Sequence, residues 1–343
     1  MKETMEGEAE RFIKAWIIAI ICLCYCYYAA AKIPKGILRL LSLLPVVYIF
    51  IILPLNLTSA HLCCITTYLL LWLANFKLLL FAFDHGPLSP LPPKLFHFIT
   101  LASLPIKLKT KNNSNPSPQT SLFTRSILLV VKILLMAIIL HSYKYKHLMH
   151  SYVVFALYFS LTYLLVEISQ AMYSIPARAL FGFELDPQFN EPYLSTTLQD
   201  FWSRRWNIMV RNILHPTVYF PTRCFFMPII GSSGATLIAI MATFLVSGLM
   251  HEILFYYVIR VNPTWEVTCF FILHGVCSAI EVAVKKVAKD RWRVPVVVSR
   301  PFTIAFVAVT SYWLFFPQIL RNGIDDKVRR ELLNIVDFVK GTN

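Results

Sequence analysis

The chain has 343 residues, of which 57% are apolar and only 15% are charged, and its mean hydropathy is +0.62. Soluble domains carry about 25% charged residues, so this composition excludes a soluble globule, and its many large apolar residues exclude disorder. The formal net charge of +14 is typical of basic loops that face anionic lipid, and we expect no nucleic-acid partner. The composition therefore predicts a polytopic membrane protein.

Apolar stretches long enough to cross a bilayer occur eight times along the chain. They cover residues 12–31, 37–55, 62–83, 122–140, 152–173, 235–259, 265–287 and 302–320. A ninth stretch, 96–106, is too short to cross and is flanked by prolines, so we expect an interfacial or re-entrant helix there. The pattern predicts an all-α polytopic bundle of about eight transmembrane helices with additional re-entrant or interfacial helices.

Lys and Arg residues are distributed unequally between the two sets of loops. Eighteen lie in the loops after the first, third, fifth and seventh stretches, whereas the opposite internal loops hold only Lys144, Lys146 and Arg260. Positive charge marks the cytoplasmic side, so both termini are predicted to face the lumen. Residues 107–121 form a polar cytoplasmic loop in this topology, and without internal repeats residues 1–343 are interpreted as one membrane-embedded domain.

Residues 183–220 form a polar and aromatic segment between two apolar spans. Acidic residues alternate here with arginines, and Phe201, Trp202 and Trp206 form an aromatic stripe. Asn190 and Asn207 add amides that a simple membrane anchor does not need. We interpret the segment as catalytic, cytoplasmic or re-entrant, and the alternative is an ordinary interfacial loop helix.

His251 lies in the middle of an apolar span and is followed by Glu252. Ionisable residues are costly in such a helix and usually face a cavity or the bundle interior. An uncharged imidazole could accept a proton there, and Ser247, one turn back on the same face, could orient the ring. The alternative is a core histidine that bonds to a neighbouring helix.

The remaining polar residues of the spans have simpler interpretations. His274 and Glu281 share a helix face and are expected to hold two helices together. Lys77 and Lys132 are expected to snorkel or to pair. The eight cysteines lie mostly in apolar runs without metal-ligand spacing, so we expect reduced thiols and no metal site.

Several segments are similar to the plant wax synthase-like proteins, which are long-chain-alcohol O-fatty-acyltransferases of the membrane-bound O-acyltransferase superfamily. They are PQFNEPYLSTTLQDFWSRRWN and FLVSGLMHE, with YCYY near the start, WLANFKLLLFAF at 72–83, PTWEVTCFFILHGVC at 263–277 and WLFFP in the last span. The superfamily's intramembrane His and upstream Asn match His251 and Asn207. The motif FYxDWWN of its diacylglycerol and sterol acyltransferases reads FWSRRWN here, with Arg204 and Arg205 in the middle positions.

The resemblance implies that fatty acyl-CoA and a long-chain alcohol give a wax ester and free CoA, in the endoplasmic reticulum membrane. His251 would be the general base and Asn207 a donor to the thioester oxygen, supported by Ser247, Glu252, Asn190 and Trp206. Arg204 and Arg205 could bind the phosphates of acyl-CoA, which is a co-substrate, and no cofactor is expected. Because no GxSxG elbow is present, direct transfer without an acyl-enzyme is the simpler mechanism.

Three alternatives remain open at the level of sequence. An acyl-CoA sterol O-acyltransferase of the same fold would use the same residues, because nothing in the sequence reads the shape of the acceptor. A transporter or channel could use His251 and Glu281 as a proton relay, although no inverted repeat or broken helix pair supports it. A catalytically inactive scaffold would not need both His251 and Asn207. No oligomeric state is predicted.

Overall fold

The computed structural model describes residues 2–105, 122–181, 188–288 and 294–340. Every regular element in these ranges is helical, and eight helices there are long and apolar enough to cross a membrane. These candidate spans are Gly7–Lys32, Ile37–Asn56, Ala60–Ala82, Ile127–Leu148, Ser151–Ile168, Ile208–Ile259, Glu266–Val287 and Val296–Phe315. The predicted all-α bundle of about eight spans is confirmed.

The α-helices are numbered in chain order. They are α1 (Lys2–Tyr28), α2 (Ile37–Ile52), α3 (Ala60–Thr66), α4 (Asn75–Ala82), α5 (Leu95–Ser103), α6 (Leu122–Ser142), α7 (Ser151–Phe181), α8 (Leu198–Asp200), α9 (Ile208–Leu214), α10 (Phe220–Ile259), α11 (Glu266–Val287), α12 (Val296–Thr310), α13 (Pro317–Arg321) and α14 (Ile324–Lys340). Wider π-helical turns cover Thr67–Ala74, Phe201–Arg205, His215–Tyr219 and Ser311–Phe315. Short 3-10 turns cover Ala30–Lys32, Leu53–Asn56, Tyr143–Leu148 and Pro192–Leu194.

The chain forms two compact units, one of Met1–Pro105 with Asn190–Asn343 and one of Ile106–Phe189. The smaller unit contains α6 and α7, where Lys132 pairs with Glu167 and the Tyr163 hydroxyl donates to the same carboxylate at 3.0 Å. The sequence predicted that Lys132 would snorkel or pair, and the structure shows it paired. The predicted loop 107–121 lies outside the described residues, and so do residues 183–187 of the segment 183–220.

The larger unit is centred on the close pairing of α10 and α11. A Cβ at Gly248 would lie 3.0 Å from the Thr268 Cα, and one at Gly275 would lie 2.9 Å from the Phe244 Cβ. Small residues at such points let two helices approach closely in a membrane. Because α10 and α11 lie so close together, side chains of α11 can contact His251 on α10.

The helix that carries His251 begins earlier than the sequence predicted. The predicted span starts at residue 235, whereas α10 starts at Phe220 and changes direction at Gly231, which has φ 75° and ψ 168°. Glycine adopts a positive φ without steric cost, so the helix can break there. The Arg223 guanidinium crosses the break and donates to the hydroxyls of Ser232 at 3.1 Å and Thr236 at 3.3 Å.

Both chain ends of the larger unit meet the turn that follows α2. The Glu8 carboxylate accepts the N–H of Ser59 at 2.7 Å, and the Glu331 carboxylate on α14 accepts the Ser59 hydroxyl at 2.9 Å. Arg260, directly after α10, donates to the Leu55 carbonyl at 2.8 Å. The two termini, the turn after α2 and the turn after α10 therefore lie at one end of the unit, as the predicted topology requires.

The short apolar stretch 96–106 forms helix α5, which is nine residues long. The buried Lys77 ammonium of α4 donates to the carbonyls of Leu101 and Leu104, the latter at 2.6 Å. These carbonyls belong to the carboxyl end of α5, where cations satisfy unpaired backbone acceptors. Lys77 is therefore paired with backbone carbonyls and fixes the short helix against α4.

Candidate active site

His251 is fixed in orientation by its own helix. Its Nδ1 lies 2.8 Å from the backbone carbonyl oxygen of Ser247, one turn back on α10. Since a carbonyl only accepts, Nδ1 carries the proton, and in the neutral ring Nε2 keeps its lone pair. The sequence predicted that Ser247 orients the ring, and the group that contacts the ring is its carbonyl.

Aromatic rings from three other elements surround the imidazole of His251. The centroid of its ring lies 5.0 Å from that of Trp72, 4.5 Å from that of Phe271 and 5.8 Å from that of Phe315. Trp72 and Phe315 both belong to π-helical turns, which are frequent at functional sites. Sequence reasoning missed all three rings, because their positions carry no polar signal.

Glu252 does not share the surroundings of its neighbour His251. Its Oε1 accepts the backbone N–H of Thr268 at 3.2 Å, near the start of α11. The first N–H groups of a helix lack intrahelical partners, so this carboxylate caps α11 from α10. Its Oε2 is buried and has no hydrogen-bond partner within the part of the chain that the structure describes.

His274 on α11 is fully buried and both of its nitrogens are engaged. The Trp202 indole N–H donates to Nδ1 at 3.0 Å, and Nε2 lies 2.8 Å from the Thr310 hydroxyl on α12. Because an indole only donates, Nδ1 accepts and Nε2 carries the proton. His274 therefore joins the segment of Trp202 to two helices, and it has no free lone pair with which to take a proton from a substrate.

Glu281 holds the same segment one heptad further along α11. Its Oε2 accepts the Gln199 N–H at 3.1 Å, and Lys285 pairs with Glu281 and donates to the Gln199 Oε1 at 3.1 Å. The shared helix face of His274 and Glu281, read from the sequence, thus binds one partner, the stretch from α8 to Arg205. Neither residue contacts His251 in a hydrogen-bonded relay among the described residues.

Asn207 begins α9 with a left-handed backbone, φ 43° and ψ 59°, which asparagine adopts more readily than most residues. Its Oδ1 accepts the Val210 N–H at 3.3 Å and so caps the helix. The cap occupies the oxygen, and the Nδ2 donor is left for another acceptor. Val210 packs against the cluster that contains Trp72, the ring that contacts His251.

Arg205 and Asn190 serve the internal structure of the segment. Arg205 Nε pairs with Asp200 at 2.8 Å, and its Nη1 donates to the carbonyls of Asn190 and Glu191 at 3.2 Å. The Asn190 N–H donates in turn to the Arg205 carbonyl at 2.9 Å. Arg204, by contrast, is exposed. The predicted contact of both arginines with acyl-CoA remains a prediction, and the structure leaves Arg204 with the freer side chain.

Trp206 completes the aromatic stripe of the segment. Its ring stacks on Phe201 with centroids 5.3 Å apart and planes 16° apart, and both pack against Leu198 and Val307 of α12. The stripe therefore packs into the helical bundle. Asn207 is the next residue along the chain.

The chain is similar to known proteins over the residues that form this site. The family model described as the membrane bound O-acyl transferase family matches residues 185–273, from the segment before α8 to within α11. Similar curated proteins include probable long-chain-alcohol O-fatty-acyltransferase 1 of Arabidopsis thaliana, 48% identical over 98% of both chains. The chain belongs to the membrane bound O-acyl transferase family. The resemblance seen in the sequence is thereby confirmed.

Relatives in this family are named for two kinds of acceptor. The long-chain-alcohol O-fatty-acyltransferase of Simmondsia chinensis is 46% identical over 94% of this chain and 93% of its own. Acyl-CoA–sterol O-acyltransferase 1 of Arabidopsis thaliana is 42% identical over 95% of both chains. Membership of the membrane bound O-acyl transferase family thus makes the chain a multi-pass membrane acyltransferase that acts on lipid substrates.

Proposed function

We propose that the protein transfers a fatty acyl group from acyl-CoA to a long-chain alcohol, giving a wax ester and free CoA. The observation that carries the proposal is His251, whose Nδ1 is bonded to the Ser247 carbonyl so that Nε2 keeps a lone pair inside an aromatic enclosure. The full-length similarity to long-chain-alcohol O-fatty-acyltransferases supports the choice of substrates. The proposed site of action is the endoplasmic reticulum membrane.

The reaction begins with removal of the hydroxyl proton by His251 Nε2. The alcohol oxygen forms a bond to the thioester carbonyl carbon while the proton moves to the ring. The Ser247 carbonyl, already bonded to Nδ1–H, stabilises the imidazolium that forms. The carbon–sulfur bond then breaks, and the proton on Nε2 passes to the CoA sulfur. This direct transfer needs no acyl-enzyme and no cofactor.

Asn207 is the proposed donor to the thioester oxygen as negative charge develops on it. Its Nδ2 is suited to this because Oδ1 is used by the cap of α9, which holds the amide in one orientation. Trp206, Asn190 and Arg205 position Asn207 by holding the segment, through the stacking and hydrogen bonds described above.

Arg204 is the proposed contact for the phosphates of acyl-CoA. Its side chain is exposed, whereas that of Arg205 pairs with Asp200. An arginine fork matches the geometry of phosphate oxygens. A free arginine therefore suits a soluble, anionic headgroup that arrives from the aqueous side.

A sterol is the second candidate acceptor. It is favoured by the 42% identity to acyl-CoA–sterol O-acyltransferase 1 over 95% of both chains. The mechanism proposed for His251 and Asn207 would be the same, because only the body of the acceptor differs from a linear alcohol.

The test is expression in a membrane that lacks such activity. Acyl-CoA is supplied with equal amounts of fatty alcohols, sterols and diacylglycerol, and the esters are identified by mass spectrometry. Wax ester as the main product supports the proposal, and sterol ester as the main product replaces it with the second candidate. The His251→Ala variant is the control for background esterification. No ester above that control would refute both.

A further inference from the structure

The indole N–H of Trp72 is a buried donor without an acceptor. Trp72 is 8% exposed, and its Nε1 has no hydrogen-bond partner in the part of the chain that the structure describes. A buried donor that is left unpaired has lost its hydrogen bonds to water without replacement, which is costly. Because an indole nitrogen only donates, the missing partner must be an acceptor, such as an oxygen atom.

Trp72 lies directly beside the proposed general base. Its ring meets the ring of His251 edge to face, with centroids 5.0 Å apart and planes 79° apart. The alcohol oxygen must come within about 3 Å of His251 Nε2 to give up its proton. In the tetrahedral intermediate, the thioester oxygen is bonded to the same carbon as that alcohol oxygen. A ring in contact with the imidazole is therefore within reach of the oxygen on which negative charge develops.

A small cavity connects Trp72 with the surroundings of both proposed reacting residues. Its volume is about 10 Å³, which is close to the room that one water molecule needs. Its walls include Trp72, Val210 and Ser247. The Val210 N–H donates to Asn207 Oδ1, and the Ser247 carbonyl accepts from His251 Nδ1. The cavity thus lies among the groups that orient Asn207 and His251, and it leaves space there for one oxygen atom.

The chemistry of the indole favours the oxygen that gains charge. An indole N–H acts only as a donor, so it takes no part in moving the proton of the alcohol. As the alcohol oxygen bonds to the carbonyl carbon, its proton passes to His251 Nε2 and the electrons of the carbonyl double bond move onto the thioester oxygen. The alcohol oxygen becomes an ester oxygen, whereas the thioester oxygen carries negative charge until the carbon–sulfur bond breaks. A fixed donor away from water stabilises this charged state more than it stabilises the substrate.

We propose that Trp72 is a catalytic residue that donates its indole N–H to the thioester oxygen, as a second donor beside Asn207. The proposal rests on the proposed function and adds one residue to the same site. When the carbon–sulfur bond breaks, the sulfur takes the proton from His251 Nε2, and the indole keeps its own proton throughout. The competing roles are a donor to the alcohol oxygen and a core residue without substrate contact.

Trp16 on α1 offers a matched control in the same unit. Its Nε1 is also buried and also lacks a partner among the described residues. Trp16 packs against the cluster that contains Leu69 and Leu73, and its ring contacts Phe12 with centroids 6.1 Å apart. Within the described part of the chain it neither lines the small cavity nor contacts the ring of His251. Removal of its N–H therefore measures what an unpaired indole in the core contributes by itself.

Replacement of either tryptophan by 3-benzothienylalanine removes the N–H and keeps the bicyclic shape of the ring. At position 72 we expect the maximal rate of ester synthesis to fall by about 10²-fold, with KM for acyl-CoA changed by less than about twofold. The thermal midpoint should stay unchanged, and the same replacement at position 16 should alter neither rate nor midpoint. Trp72→Phe, which also removes ring volume, should lose at least as much rate. An unchanged maximal rate at position 72, or an equal loss at position 16, would overturn the proposal.

Two unreactive substrate analogues identify the oxygen that the indole contacts. The methyl ether of a long-chain alcohol keeps an accepting oxygen but has no proton to transfer, and an alkyl-CoA thioether lacks the carbonyl oxygen. Removal of the N–H at position 72 should change the inhibition constants of both analogues by less than about twofold. Severalfold weaker binding of the methyl ether would assign the indole to the alcohol oxygen, and severalfold weaker binding of the thioether would assign it to packing. Either result contradicts a donor to the thioester oxygen.

The same assays separate the failure of this proposal from the failure of the proposed function. Wax ester formation by the unaltered protein, with no loss of rate on removal of the N–H at position 72, refutes the indole donor and leaves the proposed function intact. Absence of ester from the unaltered protein, above the His251→Ala control, refutes the proposed function and the indole donor together.

Discussion

His251 and His274 lie on adjacent helices, each among aromatic rings, but differ in what their nitrogens contact. Each has a tryptophan edge against its ring, Trp72 at 5.0 Å and Trp202 at 5.5 Å, and each packs on a phenylalanine of α11. His251 has one nitrogen on a carbonyl, whereas His274 accepts at one nitrogen and donates at the other. The comparison teaches that hydrogen-bond partners distinguish the two rings: His251 keeps one nitrogen without a protein partner among the described residues, whereas both nitrogens of His274 are used.

Removal of the His251 side chain is the most direct test of the difference between the two histidines. His251→Ala should lower ester formation by about 10²–10⁴-fold, as loss of a general base does, without preventing insertion into the membrane. His251→Gln, which keeps size and polarity, should be nearly as inactive. The measurement is ester synthesis at saturating substrates together with the amount of inserted protein. Activity near that of the unaltered protein in His251→Ala would show that another group takes the proton.

Asn207 tests whether the segment held by His274 contributes a reacting group. Asn207→Asp keeps the helix cap and tolerates the left-handed backbone, but it places a negative charge where negative charge would develop. We expect a loss of about 10²–10³-fold in maximal rate, at least as large as in Asn207→Ala, with little change in KM for acyl-CoA.

The control for this prediction is Asn207→Ser, which can also cap α9 but lacks the amide. It should lose rate as Asn207→Asp does. If Asn207→Asp retains most of its maximal rate, Asn207 is a capping residue and another donor, such as a backbone N–H, holds the carbonyl.

Substitution of Trp202 and of Trp72 tests the same difference between the two histidines. Trp202→Phe removes the donor to His274 and leaves a buried nitrogen unpaired, which costs about 1–3 kcal/mol of stability. Trp72→Phe removes an indole N–H that has no hydrogen-bond partner in the described residues, so it should cost less. Thermal midpoints in detergent measure the difference. His274→Ala should resemble Trp202→Phe, with a smaller loss of activity than His251→Ala; equal losses would mean that both histidines serve one site.

The arginines of the segment should separate substrate binding from structure. Arg204→Ala is expected to raise KM for acyl-CoA severalfold at an unchanged maximal rate, because its side chain is exposed and free to meet phosphate. Arg205→Ala should instead lower the thermal midpoint, since it loses Asp200 and two carbonyl partners. Kinetics against acyl-CoA concentration and melting curves of both variants decide this; an unchanged KM in Arg204→Ala would contradict the phosphate contact.

The smallest effect is expected at a third histidine, His61, which lies outside the candidate active site. Its Nδ1 lies 2.8 Å from Glu331. Burial acts to raise the pKa of the Glu331 carboxyl, but hydrogen bonds from His61, the N–H groups of Ala60 and His61 and the Ser59 hydroxyl hold this pKa at about 2. A carboxyl whose pKa is lower in the folded state stabilises that state at pH values above its unfolded pKa of about 4.3. This contribution to stability is lost as the pH falls towards 2.

The attachment of α14 should therefore be unaffected between pH 6 and pH 8 and should weaken progressively below about pH 4.5. Labelling of a cysteine introduced into α14, in a variant without the native cysteines, measures it. Glu331→Gln should weaken the attachment at neutral pH and remove the dependence. Unchanged labelling down to about pH 2.5 in the unaltered carboxylate would contradict the stabilising role of Glu331.

The all-α bundle, its eight apolar spans and the short helix near residues 95–103 follow from the sequence, because length and hydropathy are local properties that a bilayer selects directly. His251 and Asn207 are candidate site residues predicted in the same way, as polar residues at costly or patterned positions. The start of α10 at Phe220 was missed, since Pro228 and the Gly-Ser-Ser-Gly run at 231–234 are typical of a turn and interrupt the apolar pattern, although the helix continues across them.

Only the tertiary structure decided what the individual groups contact. His251 bonds to the carbonyl of Ser247 and not to its hydroxyl. Both nitrogens of His274 are hydrogen-bonded to other side chains, and Arg205 pairs with Asp200. Such partners often come from helices far apart in the sequence, and the sequence does not distinguish an aromatic ring of the core from one, such as Trp72, that contacts His251. The sequence by itself thus determined the fold class, the family and the residue types of the site. Which nitrogen can accept a proton depends on hydrogen bonds that exist only when the helices are packed.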